Sequence, residues 1–320
     1  MRPVALRELA FSSHGWSSAP APAVDLDAAG PEPQPARSPG RARDVAMCLT
    51  AIALLLRPMG PWFVRPAILA VAVLMILSPS MLRSALAWSA IAAMVAVRIA
   101  DDWPLADNHI YLLGYWAFAI ALSLRTAGGE DTLAFSSRWL IGLAFVFAVL
   151  WKTMLSPDFL DGRFFRVTLL TDARFGDAAQ LIGGLSAEQL AADRKALQLL
   201  PEGAELLDPP SIDEPARLRL LAMAATWGII ALEAAVALAM LLPASAVGSS
   251  VRHVALLLFC GTTYLFAPVA GFGWLLLAMG VGQLDERQTA LRRVYVAAFI
   301  IVIFYGEIPW AGLALGAGRG

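Results

Sequence analysis

Apolar residues along this chain fall in long runs separated by short polar gaps, with none of the strict alternation that marks a half-buried strand. Nine such runs are delimited at about 44–57, 65–80, 82–99, 108–125, 138–155, 217–242, 251–267, 270–284 and 290–310. Runs of this kind read as membrane-spanning helices. The first two are short enough to be tilted, re-entrant or fused, and the pair 251–284 is nearly continuous, with Pro268 and Gly271 at its break. In hydrocarbon each backbone polar group must be satisfied within its own segment, which favours helices. The runs are too long and too poor in alternation for barrel strands. The expected fold class is all-α: a polytopic transmembrane helical bundle of about eight to nine spans with one extramembrane helical insert.

That insert is 156–216, where acidic residues outnumber basic ones. Ser186 followed by Gln189 predicts a capping box opening a helix over 187–200. Leu190, Leu197 and Leu200 give this helix one apolar stripe, and Asp208-Pro209-Pro210-Ser211 closes the segment. Residues 1–43, rich in Ala, Pro, Ser and Gly, read as a disordered N-terminal tail. They do not match a secretory signal, because Arg2 and Arg7 precede no continuous apolar core. The transmembrane domain is then 44–310, and 311–320 a short C-terminal tail.

Arginine placement sets the orientation. With the tail inside, Arg37, Arg41, Arg43, Arg83, Arg125, Arg138, Arg252, Arg287, Arg292 and Arg293 fall on the inner side, and Arg57, Arg65 and Arg98 on the outer. The N-terminus is expected to be cytoplasmic and the insert extracytoplasmic. Composition agrees: 59% of residues are hydrophobic and 15% charged, against about 45–50% and about 25% in soluble domains. A net charge of −1 with no basic stripe gives no reason to expect nucleic acid as a partner. Cys48 and Cys260 lie in apolar runs, and His14, His109 and His253 are scattered, so no metal motif is visible.

Two positions carry candidate chemistry. Lys152 is one of two lysines and lies three residues from the end of an apolar run, in Ala148-Val149-Leu150-Trp151-Lys152-Thr153-Met154-Leu155. An ionisable group in a span is costly and often functional, and an amine taken out of water favours its neutral form and can act as a base. The competing reading is an anchor whose charged head snorkels to the interface. His109 opens the fourth run, where Asn108, Tyr111 and Tyr115 share one helical face and His109, Leu113 and Trp116 the adjacent one. Such a mouth can hold a planar ligand; the alternative is a helix cap by Asp107 or Asn108 with an interfacial tyrosine belt. In the nine-span topology His109 and Lys152 both sit at the outer face beneath the insert, which would act as a lid, and Glu307 ends the last span on the same face. Glu233 lies deeper and needs a partner inside the bundle. Gly271, Gly273, Gly280 and Gly282 suit close helix packing. No phosphate loop or nucleophile elbow is present.

Asn108-His109-Ile110-Tyr111-Leu112 resembles the Asn-His-x-Tyr-Leu element of the vitamin K-dependent gamma-carboxylase family. The stretch from Phe145 through Lys152 to Phe159-Leu160-Asp161-Gly162 resembles that family's next landmark, about forty residues on. The run Glu233 to Gly282, with Thr262-Thr263-Tyr264 and Pro268-Val269-Ala270-Gly271-Phe272-Gly273, is similar to bacterial members of the wider superfamily carrying the horizontally transferred transmembrane (HTTM) domain. The resemblance covers roughly 45–310. It implies vitamin K or another quinone as cofactor, Lys152 as the base acting on the reduced quinone, and His109 with Asn108 in the same site. The expected catalytic residues are Lys152 and His109, and the expected ligand-binding residues Asn108, Tyr111, Trp151, Asp161 and Tyr264, with no metal. The chain ends at Gly320, about ten residues after its last apolar run, where the carboxylases continue into a long lumenal region. What carries over is therefore a pocket for a quinone or isoprenoid lipid, in an enzyme-like membrane protein. The alternatives are a non-catalytic membrane scaffold or partner subunit, docking a membrane or extracytoplasmic protein on its acidic insert, and a transporter using Glu233.

Overall fold

Each of the nine apolar runs forms a helix, and no strand occurs among the described residues. The computed structural model describes residues 41–198, 212, 214–243, 245–266, 270–305, 307–308 and 310–316. Its helices are α1 (Arg41–Leu56), α2 (Arg65–Leu77), α3 (Pro79–Leu82), α4 (Ala85–Asp101), α5 (Asn108–Ser123), α6 (Gly129–Leu150), α7 (Pro157–Leu160), α8 (Arg163–Thr171), α9 (Gly176–Leu181), α10 (Ala187–Ala196), α11 (Ala216–Leu241), α12 (Ser249–Phe266), α13 (Ala270–Gly282), α14 (Thr289–Tyr305) and α15 (Trp310–Gly316). The expected tail lies outside these residues up to position 40, and so do Leu200 and Asp208-Pro209-Pro210-Ser211. Helix α1 already runs through 41–43, and much of the expected C-terminal tail is the short helix α15 packed on α9.

Local signals explain the boundaries. Ser78 before Pro79 is extended and ends α2 three residues short of the apolar run. Ser84 caps α4 by accepting from the Ala87 amide at 3.3 Å. Helix α6 begins nine residues before its apolar run: Gly128 takes the left-handed turn, and Glu130 and Asp131 in the first turn complement the macrodipole.

The helices pack around α13, which touches α1, α5, α6, α12 and α14. Residues 273–282 are buried without exception, so α13 is apolar on all sides because protein surrounds it. Aromatic rings rest on its glycines. A Cβ added at Gly273 would stand 2.4 Å from the Tyr264 ring, at Gly280 2.3 Å from Tyr295, and at Gly282 2.8 Å from Trp116. Two polar contacts in this core run between helices: Trp116 Nε1 donates to Thr50 Oγ1 at 2.9 Å, and His253 Nδ1 lies 2.9 Å from the Tyr295 hydroxyl.

The insert is more structured than expected. The capping box of Ser186 and Gln189 is formed, and Leu190 is buried. Three further short helices, α7 to α9, precede it. Phe159, Phe165, Leu169, Phe175 and Leu190 join Leu218, Ala222 and Ile230 of α11 in a second core. Two stretches, Gly129–Leu155 and Ala216–Leu241, are long and apolar enough to cross a membrane, each about 40 Å at 1.5 Å per residue.

Candidate functional site

Lys152 stands where α6 leaves its regular register. After Leu150 the chain continues through five residues of π-helix, Trp151–Leu155, and stops at Ser156-Pro157. Single π turns are uncommon and recur at functional sites. Lys152 Nζ donates to both Glu233 carboxylate oxygens at 2.8 Å, in side chains only 18% and 8% exposed. The Phe159 ring, on α7, lies 5.4 Å from the same nitrogen. The amine is thus held by a carboxylate from α11, not free at an interface, and Glu233 has the partner within the bundle that its depth requires.

Helices α5, α6 and α11, with Phe272 of α13, bound a cavity of about 1090 Å³. Its polar lining gathers Asp107, Asn108, His109 and Tyr111 from the first turn of α5 and the residue before it, and Lys152 and Glu233. The remainder is mostly apolar, with Leu112, Leu140, Ala144, Phe145 and Ala148 among the walls. Antiparallel packing of α5 on α6 explains the gathering, since it sets the start of one helix beside the end of the other. Trp151, Tyr115, Leu143 and Phe147 line the same cavity and are exposed on the outside of the molecule. Five of the expected site residues, Asn108, His109, Tyr111, Trp151 and Lys152, therefore line one cavity.

The two faces predicted for α5 point to different places. Asn108, Tyr111 and Tyr115 face this cavity. Trp116 is buried against Thr50, and Leu113 lines a second, smaller cavity, which His109 and Asp107 also border. Asp107 occupies the cap position of α5 without a side-chain cap bond. Its carboxylate is 4.0 Å from His109 Nδ1, beyond hydrogen-bond length.

Asp161 and Tyr264 are not brought to the cavity. Asp161 is exposed on the insert, where the Arg163 backbone amide and then its side chain hold the carboxyl below the usual range. The acidic turn is used to start α8, not to meet a ligand. Tyr264 is 3% exposed and packs its ring against Gly273, so it belongs to the core around α13. Glu233, singled out for its depth but not assigned to the site, proves to be the direct partner of Lys152. The one signal for it was arithmetic: a buried carboxyl in a span needs a cation, and the only lysine in an apolar run is Lys152. Among the described residues no group of three His, Cys, Asp or Glu side chains is placed to hold a metal ion. No family model matches this chain, and neither a curated protein nor a solved structure matches it significantly.

Proposed function

We propose that this chain is a multi-pass membrane protein that takes the polar head of a quinone or other isoprenoid lipid into the cavity between α5, α6 and α11. The single observation that carries the reading is the buried Lys152–Glu233 pair on the wall of a large, mainly apolar cavity. A charged pair in such a place is expensive to keep unless it is used. The membrane setting is supported by the two long apolar helices and by large apolar side chains such as Leu77, Leu86, Phe118, Phe147 and Phe304 on the outside of the bundle. The exposed rim of Tyr115, Leu143, Phe147 and Trp151 suits sideways entry of a lipid from the bilayer.

The cavity fits the group implied by the resemblance: apolar walls for a ring and tail, and a polar end for a hydroxyl or carbonyl. Bound there, a reduced quinone supplies an acidic hydroxyl and reducing electrons. The chain's own part is to move the proton. In this reading the base is the pair, not the amine alone. Glu233 takes the proton of a ligand hydroxyl, and the Lys152 ammonium, already fixed at 2.8 Å from both carboxylate oxygens, supplies the counter-charge. His109 and Asn108 orient the head, and the Phe159 ring packs beside the amine. A transport role would need Glu233 to exchange partners, which its two-oxygen contact with Lys152 opposes.

The test is titration of the detergent-purified protein with a short-tailed menaquinone or ubiquinone, read by quenching of tryptophan fluorescence. Trp151 stands on the cavity rim, and the part of the quenching lost in Trp151→Phe is the local signal. His109→Ala and the charge-neutral double variant Lys152→Met/Glu233→Gln are each expected to weaken binding at least tenfold. Unchanged binding in both would overturn the reading. A stable co-purifying protein that survives both substitutions would favour the scaffold alternative.

A further inference from the structure

On the other side of His109 lies the smaller cavity, about 240 Å³, between the end of α1, the loop to α2, the end of α4 and the start of α13. Three guanidiniums line it, from Arg57, Arg65 and Arg98, against one carboxylate, Asp107. Arg98 is ion-paired with Asp102 one turn on. Arg65 donates its Nε to the Gly60 carbonyl at 3.2 Å. Among the described residues neither Arg57 nor Arg65 has a carboxylate within ion-pair distance. Trp274, only 6% exposed, also lines the cavity, and its indole N–H has no hydrogen-bond partner among the described residues. Gly271 leaves room for the stem of Arg57, since a Cβ there would stand 3.2 Å from Arg57 Cδ.

A buried donor left without an acceptor is costly. Arg57, Arg65 and Arg98 are also the arginines that fall on the outer side in the nine-span orientation, against the usual bias. Separated in sequence, they converge on one pocket with an orphaned N–H. We infer that this pocket binds a phosphate group. Three guanidiniums offer more donors than the two oxygens of a carboxylate can use, and guanidinium forks match phosphate oxygens. Asp107 and His109 border both cavities, so a phosphate held here stands next to the apolar chamber. The phosphate is either the headgroup of a lipid whose tail occupies that chamber or inorganic phosphate held alone. The lipid source rests on the function proposed above; the phosphate site itself does not.

The experiment uses the full chain in detergent and calorimetric titration with inorganic phosphate, farnesyl phosphate and farnesol. Wild type is expected to bind farnesyl phosphate at least tenfold more tightly than farnesol. Arg57→Gln/Arg65→Gln should erase that preference while leaving farnesol and quinone binding in place, which also reports an intact fold. Inorganic phosphate that binds alone, and still binds Lys152→Met/Glu233→Gln, supports the site with a free source; binding of the ester only supports it with a lipid source. The inference is overturned if wild type shows neither binding of inorganic phosphate nor a preference for the phosphate ester, or if phosphate recognition persists unchanged in the arginine variant. Phosphate binding without any quinone binding would instead overturn the cavity reading and leave this one standing.

Discussion

At the scale of single residues the molecule is organised by one charged pair in an apolar setting. Removing one partner of such a pair strands the other charge, at a cost of about 3–5 kcal/mol, whereas replacing both by apolar residues of similar volume is close to neutral. Lys152→Met is therefore expected to destabilise the protein by about 3 kcal/mol and Glu233→Leu by a similar amount. The double variant Lys152→Met/Glu233→Leu should recover most of that loss. Thermal unfolding in detergent checks this, and losses that simply add in the double variant would mean that the two groups do not depend on each other. Each residue was conspicuous in the sequence, because charges inside apolar runs are rare. Their contact was not, since the partners are 81 residues apart and periodicity assigns faces without saying which faces meet. The same limit explains Tyr264 and Asp161, whose motifs were visible while their directions, into the α13 core and out to the insert surface, were set by packing.

At the scale of elements, the helices around α13 are spaced by glycine. A methyl at Gly280 would meet Tyr295 Cε1 at 2.3 Å, whereas one at Gly261, on the exposed side of α12, meets nothing within 4 Å. Gly280→Ala is expected to cost about 1–3 kcal/mol through overpacking, and Gly261→Ala to be neutral or to gain about 0.5–1 kcal/mol from lower chain entropy. Unfolding temperatures of the two variants provide the check: that of Gly280→Ala is expected to fall and that of Gly261→Ala to hold or rise. The nine apolar helices were legible because each buries or exposes a long hydrophobic surface. Helices α7 to α9 were not, since a helix such as α8 has nine residues and two arginines, and folds only by setting Phe165 and Leu169 against α11. Tertiary contact rather than propensity makes such elements. Their stability should also follow pH. Hydrogen bonds from the Arg174 side chain are the main cause holding the Asp172 carboxyl below its ordinary value of 3.8. A carboxyl lowered on folding adds stability above its unfolded value, and that stability is lost as pH falls through the lowered folded value. Proteolysis of the insert is thus expected to accelerate from about pH 4 downward, and less steeply in Asp172→Asn. A rate independent of pH across that window, measured with an acid protease, would remove the Asp172–Arg174 contact from the account.

At the scale of the whole molecule, the charged groups sort to two ends. Arg83 reaches Asp44 with Nη2 at 2.6 Å from Oδ2, joining the turn before α4 to the start of α1. Arg252 closes the end of α11 by donating to the Ala239 and Leu242 carbonyls at 2.9 Å, and Asp285, after α13, acts electrostatically on His253 near the start of α12. Helices α12 and α13 therefore leave that end and return to it. The α1–α2 loop shares a pocket with Asp107 and His109, and Arg174 of the insert feels the charge of Asp107, which collects the other end. Helix α11 alone separates the insert from the α11–α12 turn, and at 26 residues it is long enough to cross. Helices α1, α2 and α13, of 16, 13 and 13 residues, are about 20–24 Å long, less than the roughly 30 Å of hydrocarbon. On the proposed multi-pass reading they would reach across only with help from neighbouring protein. In a protein with Cys48 and Cys260 replaced by serine, Glu188→Cys on α10 and Trp62→Cys on the α1–α2 loop are expected to react with a membrane-impermeant maleimide from outside intact cells. Arg287→Cys should react only after permeabilisation. Labelling of Arg287→Cys together with Glu188→Cys would mean that α11 does not cross, and with it the multi-pass reading would go. Labelling of Trp62→Cys with Arg287→Cys would leave α11 in place but turn the α1–α2 pair around, and the arginine pocket would lose its place beside the insert.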